Sequence, residues 1–196
     1  MSLKEFKIAV VPGDGIGVEI TEQALKILNK ISEKYNTKFN CIELKAGGCA
    51  IDAYGEALPK ETIEKCKQCN ALFLGAIGGP KWDTLPGERR PEKALLKLRS
   101  ELGLYANLRP AKVFDELKSA SPLKDSLVEK GIDLLVVREL IGGIYFGKRG
   151  TVIENGTEKA YDTEAYTLEE VKRIAHVAFR SAMNRRKKVT SIDKAN

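Results

Sequence analysis

The sequence predicts an α/β protein whose sheet is largely parallel. Three observations carry that prediction. Short apolar runs alternate with stretches of helical spacing, the order of strands joined by helices. The runs FKIAVV, ALFLGA and IDLLVVREL are continuous rather than alternating, as in strands covered on both faces. Gly and Pro fall between the runs, where the chain must turn.

The elements follow in order. FKIAVV (Phe6 to Val11) ends at Pro12 and Gly13 and reads as a buried strand. From Val18 to about Tyr35, apolar Ile20, Ala24, Ile27, Leu28 and Ile31 recur at helical spacing. Phe39 to Leu44 reads as a second strand, the segment after Pro59 as a helix, and Ala71 to Ala76 as a third, fully buried strand. IGGPKWDTLPGERRPE must be a long loop, and long loops in compact domains are functional or disordered. A helix follows from about Pro91 to Glu101, then an extended segment, LYANLRPAKVF.

Ile132 to Leu140 is another buried strand, and GGIYFGKRG turns away from it. TVIENGTEKAYDTEAYT reads as a hairpin with Asn155-Gly156 in a type I′ turn. Its apolar alternation is weak, so it is a solvated arm or one that packs on another chain. Thr167 to Glu170 is a capping box. It opens a helix with Val171, Ile174, Ala175, Ala178, Phe179 and Ala182 on one side, ending in the basic run Arg185 to Lys188. Val189, Ser191 and Ile192 read as the start of a last strand, before the polar Asp193, Lys194 and Asn196.

Composition narrows the class. With 196 residues, 43% hydrophobic and 31% charged, the chain fits one domain or two small ones with a real core. The net charge of +6 suits an anionic substrate as well as nucleic acid. No apolar run is long enough to span a bilayer, and the N-terminal apolar stretch enters a Gly turn, so a cytoplasmic location and no membrane partner are expected. Cys66 and Cys69 form a CxxC, but Cys41 and Cys49 are not the second pair a zinc site requires. The four read as small apolar residues in a reducing compartment.

PGDGIGVE, from Pro12 to Glu19, invites a dinucleotide reading, but its third glycine, Gly17, comes one residue early and Val18 holds the expected place. Asp14 would put a negative charge beside a pyrophosphate. A tight turn near a ligand and glycines needed only for positive φ both stay open. Arg99, Arg109 and Arg138 sit on or at the ends of apolar elements, where a guanidinium is costly unless paired. Converging, they would form a bidentate clamp for a dicarboxylate; separately, each would pair with a local carboxylate such as Glu101 or Glu139. Tyr145 lies between glycines and would serve as an acid or simply as core. His176 reads as a rim residue. The basic run lacks aromatic interleaving and sits at a helix C-terminus, where positive charge suits the dipole, so no nucleic-acid partner is expected.

The blocks GGPKWD, LLKLRSELGLYANLRPAKVF, RELIGGIYFG and VTSIDKAN, in that order, resemble the isocitrate/isopropylmalate dehydrogenase family of decarboxylating β-hydroxyacid dehydrogenases. The resemblance runs from PGDGIG to Asn196. It implies that family's fold, truncated: three layers, a mostly parallel sheet and a hairpin arm at about 150–166. It also implies part of a first, cofactor- and substrate-binding domain at 1–103 and part of a second, dimerisation domain at 104–196.

The implied activity is NAD-dependent oxidative decarboxylation of isopropylmalate to 4-methyl-2-oxopentanoate, in leucine biosynthesis, by a homodimer. Isocitrate, homoisocitrate and tartrate are alternative substrates, and a non-catalytic or split-partner protein is the alternative of another class. By the resemblance, Arg99, Arg109 and Arg138 hold the substrate carboxylates. Leu95 and Leu96 face the isopropyl group, Tyr145 protonates the enolate and Lys194 handles the hydroxyl proton. Ile16, Glu92 and Asn196 lie by the cofactor. Val18 and Ile141 depart from the family's usual Pro and Thr. The chain is expected to be the N-terminal half of such a protein and inactive alone. The ligands for Mg2+ or Mn2+ and the adenosine-binding loops are expected beyond its end.

Overall fold

The computed structural model describes residues 3–192. Its contacts divide the chain after Gly103 into two compact units. The first contains β1 (Lys4–Gly13), α1 (Ile16–Tyr35), β2 (Thr37–Glu43), α2 (Gly48–Tyr54), α3 (Lys60–Lys67), β3 (Ala71–Ala76) and α4 (Glu92–Glu101). β1 is the central strand, parallel to β2 on one side and to β3 on the other. Helices cover both faces of this sheet, as the sequence predicts. Ala9 and Val11 of β1 and Leu72 and Leu74 of β3 share a core with Ile63 and Cys66 of α3 and Ala94 and Leu98 of α4. Phe73 and Gly75 alternate to the other face, where Thr21 of α1 closes on Gly75.

α1 buries a narrower face than its apolar pattern predicts. Gly17, Thr21, Ala24, Leu25 and Leu28 turn inward, while Ile20, Ile27 and Ile31 are exposed. One i, i+4 ridge meets the sheet, and the neighbouring ridge stays open among the described residues. The start of the helix sets the spacing: a Cβ on Gly17 would lie 2.3 Å from the Pro12 carbonyl oxygen and 2.7 Å from the Ala76 nitrogen. The long loop holds two single turns of 3₁₀-helix, Pro80–Trp82 and Gly87–Arg89.

The second unit contains β4 (Ala106–Lys112), α5 (Asp125–Val128), β5 (Asp133–Glu139), β6 (Arg149–Glu154), β7 (Thr157–Asp162) and α6 (Leu168–Met183). β4 and β5 form an antiparallel pair, and β6 and β7 the expected hairpin about Asn155-Gly156, so the parallel order is confined to the first unit. Every residue of the hairpin strands is exposed. α6 packs on β5 and carries the full capping box at Thr167 and Glu170.

Three expectations are corrected here. β3 is not fully buried: Ala71 is exposed and 72–76 are only half-buried. The strand from Ile132 is not buried throughout: along β5, Leu134 and Val136 are exposed and alternate with partly buried Leu135 and Val137. A ribbon of two strands has one face for α6 and leaves the other open. Residues 189–192 form no strand, and Ile192 is 92% exposed. An isolated strand has no ladder partner to satisfy its backbone. Val189 and Ser191 instead line a hollow of about 400 Å³ with Phe179, Ala182 and Met183.

The basic run is partly consumed by structure. Arg185 reaches the Asp133 carboxylate at 2.7 Å, and Arg186 donates to the Asp133 carbonyl at 2.6 Å, tying the end of α6 to the start of β5. The hydrogen bond from Arg185 holds the Asp133 carboxyl below the ordinary carboxylate value. No helix among the described residues is long and apolar enough to cross a membrane.

Two outcomes are expected. Gly17→Ala should cost about 2–3 kcal/mol in urea unfolding, because a methyl there meets backbone rather than a flexible side chain. Gly87→Ala, where an added Cβ meets nothing within 4 Å, should leave the midpoint in place. The Asp133 tie should stabilise the second unit above the ordinary carboxylate value of 3.8 and fade as pH falls through the lowered folded value. The melting gap between wild type and Asp133→Asn should therefore close in acid; a gap that widened as pH fell would contradict the assignment.

Candidate functional site

The candidate residues of the second unit stand on the β4–β5 ribbon. The register sets Arg138 opposite Asn107 and Arg109 opposite Val136. Asn107 and Arg109 are two apart on one strand, so Arg109 and Arg138 share a face and are diagonal neighbours. That face is the open one, and both arginines are exposed. Arg109 donates from Nε to the Asn107 side-chain oxygen. The Arg138 guanidinium lies over the Tyr145 ring, 5.5 Å from its centroid. Among the described residues neither arginine forms an ion pair, which leaves two cationic forks and a phenol on one exposed surface.

The local partners considered for these arginines are engaged elsewhere. Glu101 pairs with Lys67 at 2.8 Å. Glu139 points to the opposite face of β5, where its side chain is only 7% exposed. One of its oxygens accepts the backbone N–H groups of Ile141 and Gly142, each at 2.6 Å. The other accepts from Nε of Arg173 at 3.1 Å and from its Nη2. Arg173 in turn stacks on Tyr105, 4.8 Å from the ring centroid. Glu139 thus anchors the start of the turn that carries Tyr145, and α6 supplies the countercharge. Tyr166 stands against Gly143 in the same turn, its phenol pushed up by burial and then by Glu164.

The first unit gathers the other group. Ile16 opens α1 and is 59% exposed. Glu92 begins α4, Leu95 and Leu96 are half-buried one turn on, and Arg99 is half-buried near the helix end. Asp14 is not a charge offered to a phosphate: it is turned inward, 3% exposed. Its oxygens accept the backbone N–H groups of Gly48 at 2.8 Å, Cys49 at 2.7 Å and Gly78 at 2.8 Å. Burial, then the Asp14 charge, push the Cys49 thiol up. Burial likewise raises the Cys66 thiol, which packs in the core, and all four cysteines are free. His176 is exposed. Lys194 and Asn196 lie outside the described residues. Among the described residues no three His, Cys, Asp or Glu side chains group as a metal ion would require.

Sequence reasoning missed Asp14 and Glu139 as organising carboxylates. The only signals were a charge between two glycines and a Glu placed to pair with the Arg before it.

A family model described as isocitrate/isopropylmalate dehydrogenase matches residues 7–196. The chain is 69% identical over 194 residues to a 3-isopropylmalate dehydrogenase of Clostridium acetobutylicum, covering 99% of this chain and 54% of that protein. It is 56% identical over 195 residues to a 3-isopropylmalate dehydrogenase of Aquifex aeolicus, covering 99% and 53%. The chain spans about half the length of the curated relatives it matches. Among solved structures, an isocitrate dehydrogenase from Methylococcus capsulatus matches with a TM-score of 0.72 and 27% identity, over 93% of this chain and 49% of that one. A β-decarboxylating dehydrogenase from Thermococcus kodakarensis matches with a TM-score of 0.63 and 32% identity, over 91% and 46%.

Arg173→Met should lower stability by about 2–3 kcal/mol, since it strands a buried carboxylate with two amides and no cation. Arg173→Lys should recover part of this, keeping charge without the fork. In a urea double-mutant cycle, Glu139→Gln with Arg173→Met should cost less than the sum of the two. Strict additivity would mean that the pair contributes nothing as a pair.

Proposed function

The chain belongs to the isocitrate/isopropylmalate dehydrogenase family, and on that premise we propose that it carries the carboxylate-holding and proton-handling part of a 3-isopropylmalate dehydrogenase. The reaction is oxidation and decarboxylation of 3-isopropylmalate to 4-methyl-2-oxopentanoate, on the route to leucine. The observation that carries this reading is the open face of the β4–β5 ribbon. Two arginines that form no ion pair among the described residues stand there as diagonal neighbours, one of them over a tyrosine ring. The relatives' names point the same way.

In this reading Arg109 and Arg138 grip substrate carboxylates by paired N–H donors, and Arg99 is likewise assigned to carboxylate binding. Leu95 and Leu96 give apolar surface to the isopropyl group, which a polar residue would leave unsolvated. Lys194 takes the proton of the 2-hydroxyl. Tyr145 returns a proton to the carbon that loses CO2, a general-acid step from a phenol held against Arg138. Ile16, Glu92 and Asn196 border the nicotinamide end of the cofactor. Bound NAD would accept the hydride from C2. Mg2+ or Mn2+ belongs to the proposed activity, and among the described residues no three His, Cys, Asp or Glu side chains group to hold it. The complete enzyme acts as a homodimer in the cytoplasm.

The test is complementation. The chain alone should form no NADH from 3-isopropylmalate. Mixed with a polypeptide supplying the rest of the relatives' length, it should do so, and faster than with isocitrate, homoisocitrate or tartrate. In that mixture Tyr145→Phe should lower kcat by about 10²–10⁴-fold with little change in KM. Arg109→Met should act mainly through KM. A complex that forms but turns over none of the four acids would sink the proposal and favour a non-catalytic protein.

A further inference from the structure

We infer that Asp14 is a positioning residue, a buried post that holds the two cofactor-facing segments of the first unit, the Ile16 turn and the Glu92 segment, in fixed geometry. The inference rests on the reading of Ile16 and Glu92 proposed above. Asp14 lies two residues before Ile16, and its own backbone is fixed at both ends. Its N–H donates to the Ala76 carbonyl at 2.7 Å, and its carbonyl accepts from Gly17 at 2.9 Å. The side chain then reaches across the end of the sheet. Oδ2 takes the N–H of Gly78, two residues past β3, and the N–H of Gly48 at the start of α2; Oδ1 takes that of Cys49.

Gly78 passes the constraint on. Its φ is +102°, and a Cβ built there would fall 2.4 Å from Oε1 of Glu92. The Gly78 backbone is therefore the surface on which the Glu92 carboxylate rests, and Asp14 fixes that surface. The Gly48 end leads to Trp82, whose ring lies on the Gly48 Cα and whose Nε1 donates to Asp52 at 3.2 Å. One carboxylate thus joins the turn of Ile16, the support of Glu92 and the seat of Trp82. Satisfying a buried carboxylate needs only donors, and a local cap would provide them. These three donors come from segments 34, 35 and 64 residues away, so what they gain is the relative placement of those segments.

Trp82 is the sole tryptophan in the sequence and serves as the reporter. NADH absorbs where tryptophan emits, so quenching of Trp82 by added NADH reads cofactor binding at this end of the chain. The experiment compares wild type with Asp14→Asn and Asp14→Ala at a temperature where circular dichroism shows each folded. An asparagine oxygen in the Oδ2 position keeps the bonds to Gly48 and Gly78 and opposes only Cys49. Asp14→Asn should stay within about threefold of wild-type NADH affinity, and Asp14→Ala should lose about tenfold or more, a difference of about 1.4 kcal/mol for each factor of ten.

A post that served stability alone would lower melting in both variants and leave the affinity of the folded protein unchanged; that result overturns the inference. Should Asp14→Ala not fold, Gly78→Ala displaces Glu92 while leaving Asp14 in place and must reproduce the affinity loss; wild-type affinity there overturns it equally. Amide exchange keeps the two readings apart. If wild type does not bind NADH even when mixed with a polypeptide supplying the rest of the relatives' length, yet the Gly48, Cys49 and Gly78 amides are protected and become open in Asp14→Ala, the cofactor assignment of Ile16 and Glu92 has failed while the post stands. If those amides exchange freely in wild type, the post itself is refuted.

Discussion

A carboxylate withdrawn from water has to be met by donors, and that requirement at Asp14 organises the first unit. The glycines around it let the chain turn tightly enough to aim the side chain inward. Three backbone amides from distant segments then converge on it. Because α2 draws its N-terminal cap from Asp14, the placement of that helix depends on the β1–α1 turn being formed. The loop after β3 depends on it for the same reason. Local structure and the meeting of distant segments are here one event.

The second unit repeats the device with one addition. Glu139 also spends an oxygen on two backbone amides, but it shares the other with Arg173 of α6. The helix therefore reaches the turn of Tyr145 through a charge pair, and the stack of Arg173 on Tyr105 keeps the guanidinium plane fixed. The alternation of β5 separates the two roles. Glu139 faces the helix and organises; Arg138, one residue earlier, faces outward over the Tyr145 ring and forms no ion pair among the described residues. A shift of register by one residue would exchange them.

Much of this was legible in the sequence. The parallel core follows from continuous apolar runs and helical spacing, and β3 matches its expected bounds from Ala71 to Ala76. The capping box marked the start of α6 because its donor and acceptor are three residues apart and need nothing else. Asn155-Gly156 marked the hairpin for the same local reason. By contrast α2 gave no signal, since its cap comes from 34 residues upstream. The exposed ridge of α1 and the open face of β5 were misread because apolar character reports a tendency to be covered, not whether a covering element is present.

The sequence by itself determined the order of the main strands and helices other than α2, the family and the residue types able to hold a dicarboxylate, because periodicity, turn chemistry and ordered motifs are carried by near neighbours. Only the tertiary structure decided which of the described charges are exposed without an ion pair and which hold the fold. Arg138 and Glu139 are adjacent in sequence and face opposite sides of β5, and the Asp14 charge that counts against a phosphate in the sequence is turned inward onto three backbone amides. Burial and partnership settle such roles, and both depend on residues tens of positions away.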